Sequence, residues 1–108
     1  MSELIQKLSS TTSMIKLDNG NLAIRCHWTD VVERDGEELI LRMGDYPTLL
    51  TRKWINKGIK MLGFDIEAGV FQKDGEQYIE YDGIVVSFIE NMRIPVRSWN
   101  AKIASYNS

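Results

Sequence analysis

Cysteine and histidine are the scarcest reactive residues of this sequence, which contains one of each, Cys26 and His27. A single cysteine excludes an intramolecular disulfide, and one cysteine with one histidine supplies too few ligands for a zinc site. The two residues are adjacent in a predicted strand, so their side chains point to opposite faces and cannot act as a nucleophile and its base. We therefore expect neither thiol chemistry nor metal chemistry.

Long apolar runs are also missing. No stretch approaches the roughly 18 apolar residues of a membrane-spanning helix, and the charged N-terminal residues lack the apolar segment of a signal peptide. The glycines are dispersed among predicted turns, which argues against a glycine-rich phosphate loop. The sequence therefore predicts a cytoplasmic protein that contacts no membrane and holds no cofactor.

In length and composition the chain is typical of one globular domain: it has 108 residues, of which 44% are hydrophobic and 26% charged. A chain of this size can bury a core without metals or disulfides. We predict a single domain over residues 1–108, with an N-terminal segment and connector (1–13), an α+β core (14–99) and a tail (100–108). Within the N-terminal segment, residues 3–8 are predicted to form a short helix.

One stretch, from Asp45 to Phe64, is predicted to be the only substantial helix. Asp45 can cap its first turn, Pro47 fits only a first turn, and Gly63 suits the C-terminal end. The apolar residues fall on one side of a helix drawn at about 100° per residue, with Gly58 at the centre of that side. We expect a neighbouring group to approach Gly58 closely. The apolar side consists of Leu50, Trp54, Ile55, Gly58, Ile59, Met61 and Leu62.

Strand patterns lie on both sides of this helix. Apolar runs are separated by the hairpin signals Asn19-Gly20, Asp35-Gly36, Asp74-Gly75 and Asp82-Gly83. The run from Leu22 alternates and is predicted to continue through Val32, which places Trp28 on the core face. Pro95 places a last strand, Ile94–Trp99, at a sheet edge or at a bulge. The patterns predict an α+β fold: an antiparallel sheet of about five or six strands, in two meanders split by one amphipathic helix packed on one face.

Charge is unevenly distributed, although the net charge is only −2. Residues 46–64 contain four basic and no acidic residues, whereas residues 65–91 contain seven acidic and one basic. Such segregation steers association with partners. The predicted polar side of the helix is therefore our candidate partner-binding surface, with the acidic hairpins as the other candidate. The helix residues concerned are Arg52, Lys53, Asn56, Lys57 and Lys60.

Three classes of function remain open. The leading hypothesis is a small non-enzymatic protein that binds another protein, as an inhibitor or accessory regulator. The first alternative is a nucleic-acid-binding module that uses the basic side of the helix, although the acidic net charge weighs against it. The second alternative is a small enzyme built on a pair of carboxylates.

A homodimer is also predicted, because a single helix covers only one face of a sheet while several strands are apolar on both faces. The uncovered face would then be an apolar patch of the kind that marks an interface, and a twofold dimer is the most frequent way to cover it. The candidate dimer face consists of Ile40, Ile79, Tyr81, Val85 and Ile89.

Overall fold

The computed structural model describes residues 2–63 and 66–96. Within these residues the chain forms nine strands and one helix. In chain order they are β1 (Glu3–Lys7), β2 (Thr12–Lys16), β3 (Leu22–Cys26), β4 (Thr29–Asp35), β5 (Glu38–Leu41), α1 (Leu49–Gly63), β6 (Ala68–Lys73), β7 (Glu76–Tyr81), β8 (Ile84–Ser87) and β9 (Met92–Pro95).

The strands form two antiparallel sheets. The larger has six strands in the order β1-β2-β3-β4-β5-β9, and the smaller has three in the order β6-β7-β8. Hairpins form at all four predicted signals, although the second turn is made by Gly36 and Glu37, since Asp35 pairs with Glu38. The predicted α+β fold of antiparallel strands with one packed helix is confirmed.

The arrangement of the strands is less local than predicted. The second meander is a separate sheet, and its successor β9 returns to pair with β5 across more than 50 residues of sequence. Pro95 lies in this edge strand, as predicted, because a proline cannot donate to a further strand. The strand begins at Met92 rather than Ile94, while residues 97–108, including the predicted tail, lie outside the described residues.

The N-terminal segment is a strand, so the predicted short helix at residues 3–8 is wrong. All five residues of β1 are exposed, and β1 pairs with β2 through an irregular register between Leu4 and Gln6. A helix of six residues has too few hydrogen bonds to offset its nucleation. As a strand, by contrast, residues of β1 can form backbone hydrogen bonds with the edge of β2.

The helix packs on the six-stranded sheet through the side that the sequence predicts. Its buried residues include Trp54, Ile55, Gly58 and Ile59. A Cβ atom added to Gly58 would lie 2.7 Å from Val32 Cγ2 and 3.0 Å from Ile24 Cγ1, closer than side-chain atoms approach one another. The predicted close approach at Gly58 is therefore confirmed, and β3 and β4 supply it.

The helix also contacts the three-stranded sheet. Asn56 accepts a hydrogen bond from the Val70 amide (2.7 Å) and donates one to the Val70 carbonyl (3.1 Å). Arg52 donates to the side-chain oxygens of Gln72 and Gln77. One continuous core therefore joins both sheets to the helix. Its members include Ile24, Val32, Leu39, Leu41, Ile55, Ile59, Val70 and Ile79.

The predicted helix is too long at its N-terminal end. It begins at Leu49, so Asp45 is not its cap and Pro47 precedes its first turn. It ends at Gly63, but this glycine is the last helical residue and does not adopt the left-handed φ of a C-terminal cap. Arg34 donates a 2.6 Å hydrogen bond to the carbonyl of Leu62 at this end. Phe64 lies outside the described residues. Across the part of the chain that is described, no helix combines the length and apolar character needed to cross a membrane.

We predict that Gly58→Leu lowers the free energy of unfolding by about 1–3 kcal/mol or more, because a side chain there overpacks the contact with Val32. Urea unfolding of both proteins measures the difference. The matched control is Lys60→Leu, at an exposed position of the same helix, where we expect a change within about 0.5 kcal/mol. Equal midpoints for Gly58→Leu and wild type would contradict the observed packing.

Candidate functional site

A two-residue turn at His27 and Trp28 joins β3 to β4, where the sequence predicts an uninterrupted strand. Cys26 pairs with Thr29 across this turn. His27 has φ +53°, in the left-handed region that non-glycine residues adopt infrequently, although histidine does so more often than most. Its amide donates a 2.9 Å hydrogen bond to the carbonyl of Thr11, which ties the turn to the start of β2.

Trp28 is 96% exposed, which overturns its predicted place on the core face. The prediction extended the alternation of β3 by two residues, and the turn ends that alternation at Cys26, which is buried. Burial of a large apolar side chain contributes roughly 1.5–3 kcal/mol. The isolated chain gains none of this at Trp28, so the side chain is available to a partner.

Beside Trp28 lies an apolar cavity of about 460 Å3. Its walls come from the β3–β4 turn with the start of β4, from Met43 just after β5, and from the segment that leads into the helix with its first turn. None of the residues that line it is a lysine, arginine, aspartate or glutamate, so it suits an uncharged apolar group. The lining residues are Cys26, His27, Trp28, Thr29, Val31, Met43, Tyr46, Thr48, Leu50 and Thr51.

One rim of this cavity is held in place by Glu90. Its carboxylate accepts hydrogen bonds from the amides of Met43 (2.7 Å) and Gly44 (2.9 Å). Gly44 has φ +65°, and a Cβ atom there would lie 2.6 Å from Thr29 Oγ1. Only glycine fits this position without strain. The chain after Gly44 is thereby directed along the cavity, and Tyr46 is largely exposed on it.

The other rim is the start of the helix. Thr48 Oγ1 accepts a hydrogen bond from the Thr51 amide at 3.2 Å, so Thr48 is the N-cap that the sequence reading assigned to Asp45. The two threonine hydroxyls also lie 3.1 Å apart. Leu50, predicted on the buried side, is 38% exposed and lines the cavity.

The predicted partner-binding residues divide into two groups. Arg52 and Asn56 hydrogen-bond to the three-stranded sheet and thus serve the fold. Lys53, Lys57 and Lys60 are exposed, and the ammonium group of Lys57 lies 5.0 Å from the ring centroid of Trp54. The basic surface that remains is therefore formed by the three lysines.

The predicted dimer residues do not share one exposed face. Ile40 and Ile79 are buried within the monomer, and the Tyr81 hydroxyl donates a 2.7 Å hydrogen bond to the carbonyl of Pro95. Ile79 belongs to the core on the helix side of its sheet, whereas Val85 lies on the other side. Val85 and Ile89 are exposed. Of the predicted dimer residues, the structure therefore leaves Val85 and Ile89 largely exposed, and the dimer itself stays a prediction.

Ile40 is buried, although it lies on the face of the six-stranded sheet opposite to α1. It lies between Glu33 and Arg93 in one cross-strand row. Long charged side chains can cover apolar neighbours with their aliphatic parts. Arg93 bonds to Asp35 and Glu38, which raises the pKa of its guanidinium group above the ordinary value, and Glu33 is held by Arg42. An ion-paired layer of long side chains therefore lies beside Ile40 on this face of the sheet.

Two observations bear on carboxylate and metal chemistry within residues 2–63 and 66–96. The buried Glu33 accepts hydrogen bonds from Asn21 (2.8 Å) and Arg42 (3.1 Å), and both of its oxygens are thereby occupied. In the described ranges, no three histidine, cysteine, aspartate or glutamate residues cluster closely enough to hold a metal ion.

No protein-family model, curated protein or solved structure matches the chain. Its function therefore has to be argued from the geometry of its surface.

The sequence reading missed Trp28, Tyr46 and the cavity between them. One signal was present: a continuous strand from Leu22 to Asp35 would have 14 residues, whereas strands of about 3–10 residues are usual. An excess of this size indicates an additional turn. The dipeptide His27-Trp28 does not indicate where this turn lies, because neither residue is typical of a two-residue hairpin loop.

We predict that Thr48→Ala lowers the free energy of unfolding by about 1 kcal/mol, because it removes the cap at the cavity rim. Thr48→Ser keeps the hydroxyl group and is expected to retain most of that stability. Asp45→Ala, at the cap position predicted from sequence, is expected to change little. Thermal unfolding of the three variants measures this order, and a larger loss for Asp45→Ala than for Thr48→Ala would contradict the observed start of the helix.

Proposed function

We propose that this protein is a non-enzymatic binding protein, an inhibitor or accessory regulator, that contacts another protein through Trp28 and the adjoining cavity. The observation that carries the proposal is the near-complete exposure of Trp28 beside an uncharged apolar cavity. The partner expected to fit is a protein that covers the indole ring and places an apolar side chain in the cavity.

The physical argument rests on the distribution of binding energy in interfaces. A few residues contribute most of it, and tryptophan and tyrosine are enriched among them. Trp28 and Tyr46 flank one cavity here, which provides both a projecting anchor and a pocket. Ligand pockets of this kind have volumes on the order of 300–1,000 Å3 and are lined mainly by apolar groups.

The site is also held in shape before any partner arrives. The β3–β4 turn is tied to Thr11, Glu90 holds Met43 and Gly44, and Thr48 caps the helix. A surface that is already ordered loses less conformational entropy on association. This order favours a binding surface over a turn that is merely exposed.

We predict that Trp28→Ala weakens binding of the physiological partner by roughly 30-fold or more, which is the loss of about 2 kcal/mol typical of an interface anchor. Its melting temperature should equal that of the wild type, because the ring makes few contacts in the free protein. The measurement has two steps: capture from a lysate of the source cell, then titration of the purified captured protein by calorimetry.

The matched control for Trp28→Ala is Leu4→Ala, an exposed apolar residue on the edge strand β1. The control should bind like the wild type. A captured protein that binds Trp28→Ala and wild type equally would show that this surface is not the site.

The nucleic-acid alternative rests on the exposure of Lys53, Lys57 and Lys60 along one helix. We expect the double variant Lys53→Glu/Lys57→Glu to keep the partner that Trp28→Ala loses, because no lysine, arginine, aspartate or glutamate lines the cavity. The matched control is Lys16→Glu/Lys73→Glu, which changes the net charge equally at exposed positions elsewhere.

A result opposite to this expectation would favour the nucleic-acid alternative. It requires that the helix double variant, and not its control, lose binding to a labelled oligonucleotide. The logarithm of the wild-type affinity must also fall linearly with the logarithm of the salt concentration.

A further inference from the structure

We propose that two copies of this chain associate through the outer edge of β8, which pairs antiparallel with the same strand of the second copy and joins the two three-stranded sheets into one of six strands. The proposal is independent of the Trp28 site. It replaces the face-to-face dimer predicted from sequence with edge-to-edge pairing.

The first observation is the exposure of β8. Ile84, Val85 and Val86 are 64%, 53% and 45% exposed, and Ile89 just beyond the strand is exposed as well. Adjacent residues of a strand point to opposite faces, so β8 is uncovered on both faces. The strand has no charged residue. An apolar strand of this kind at a sheet edge is a typical site for pairing with another chain.

The second observation is the direction of the backbone groups of β8. Ile84 closes a two-residue turn with Tyr81, and the Phe88 amide donates to the carbonyl of Gln77 at 3.0 Å. In an antiparallel pair, hydrogen-bonded residues alternate with residues whose N–H and C=O groups point away. The groups of Val85 and Ser87 therefore point outward, and no hydrogen bond to them is formed within the described part of the chain.

The third observation is that the other sheet edges carry features that hinder pairing. On β6, Asn56 occupies both the amide and the carbonyl of Val70. On β9, Pro95 lacks an amide proton and Arg93 is ion-paired. On β1, the register is irregular beside Leu4, and charged residues stand at both ends. Proteins commonly protect strand edges by such means, and β8 has none of them.

The occupant that fits this edge is a second copy, because the strand is complementary to itself. When Val86 faces Val86 of the second copy across a twofold axis, Val85 faces Ser87 and the reverse. The residues with outward backbone groups then meet one another, and four N–H···O bonds form. Isologous contacts of this kind characterise twofold dimers.

The expected dimer is weak. An edge contact of four to six residues per copy buries less than the roughly 800 Å2 per partner of a standard interface, and such contacts belong to the transient class. We therefore expect dissociation in the micromolar range and a monomer–dimer equilibrium that depends on protein concentration.

Disulfide trapping tests the register. In the proposed dimer the two Val86 residues form a non-hydrogen-bonded pair with Cα atoms about 4.5 Å apart, which a disulfide can bridge. Val86→Cys is expected to form a covalent dimer under mild oxidation. The matched control is Ser87→Cys on the same exposed strand, whose Cα atoms would be about 8 Å apart at a rise of roughly 3.4 Å per residue. Wild type, with its buried Cys26, is the baseline.

Sedimentation equilibrium of the full chain tests the association itself. Val85→Pro removes an outward N–H and no β7–β8 hydrogen bond, so it should abolish the dimer while the fold, followed by circular dichroism, persists. Val85→Lys is the second variant, in case proline disturbs the hairpin, and should also be monomeric.

Three results would overturn the proposal. One is a wild type that stays monomeric at all concentrations, whether residues 97–108 or water then cover the edge. Another is a dimer that persists in both Val85→Pro and Val85→Lys. The third is equal trapping of Val86→Cys and Ser87→Cys.

Discussion

The close approach of the helix to the six-stranded sheet at Gly58 is the contact on which the rest of the structure depends. Because no side chain separates the helix from Val32 and Ile24, the helix lies deep against β3 and β4. At that depth Asn56 can reach both backbone groups of Val70, and the first helical turn stands beside the β3–β4 turn. The lack of a side chain at Gly58 thus helps to position both the second sheet and the cavity.

Local chemistry explains which parts of this fold could be predicted from the sequence. Asn-Gly and Asp-Gly pairs favour tight hairpins by themselves, and the helical period identifies a buried side, so the hairpins and Gly58 were predictable. The turn at His27 and Trp28 was not, since His27 adopts φ +53° through its tertiary setting, including the bond to Thr11. The candidate site depends on that turn, which is why it was missed.

The predicted dimer face shows a different limit of sequence patterns. Alternation indicates that Ile40 is buried but not what covers it. In this fold Ile40 lies in register between Glu33 and Arg93, which belong to a layer of charged side chains where Arg93 reaches two carboxylates and Arg42 reaches Glu33. Such a layer arises from residues far apart in sequence. Sequence alone therefore could not separate a face covered by ion pairs from one that needs a second copy.

The two surfaces proposed for binding are built from different parts of the fold. The Trp28 surface belongs to the six-stranded sheet and the helix start, while the β8 edge belongs to the three-stranded sheet. The proposed pairing at β8 would therefore leave Trp28 exposed and produce a particle with two identical Trp28 surfaces. Against a multivalent partner, the second contact of such a particle is intramolecular, so its overall affinity exceeds that of the monomer without any new contact. A weak, concentration-dependent dimer would then make the strength of binding depend on how much of this protein is present.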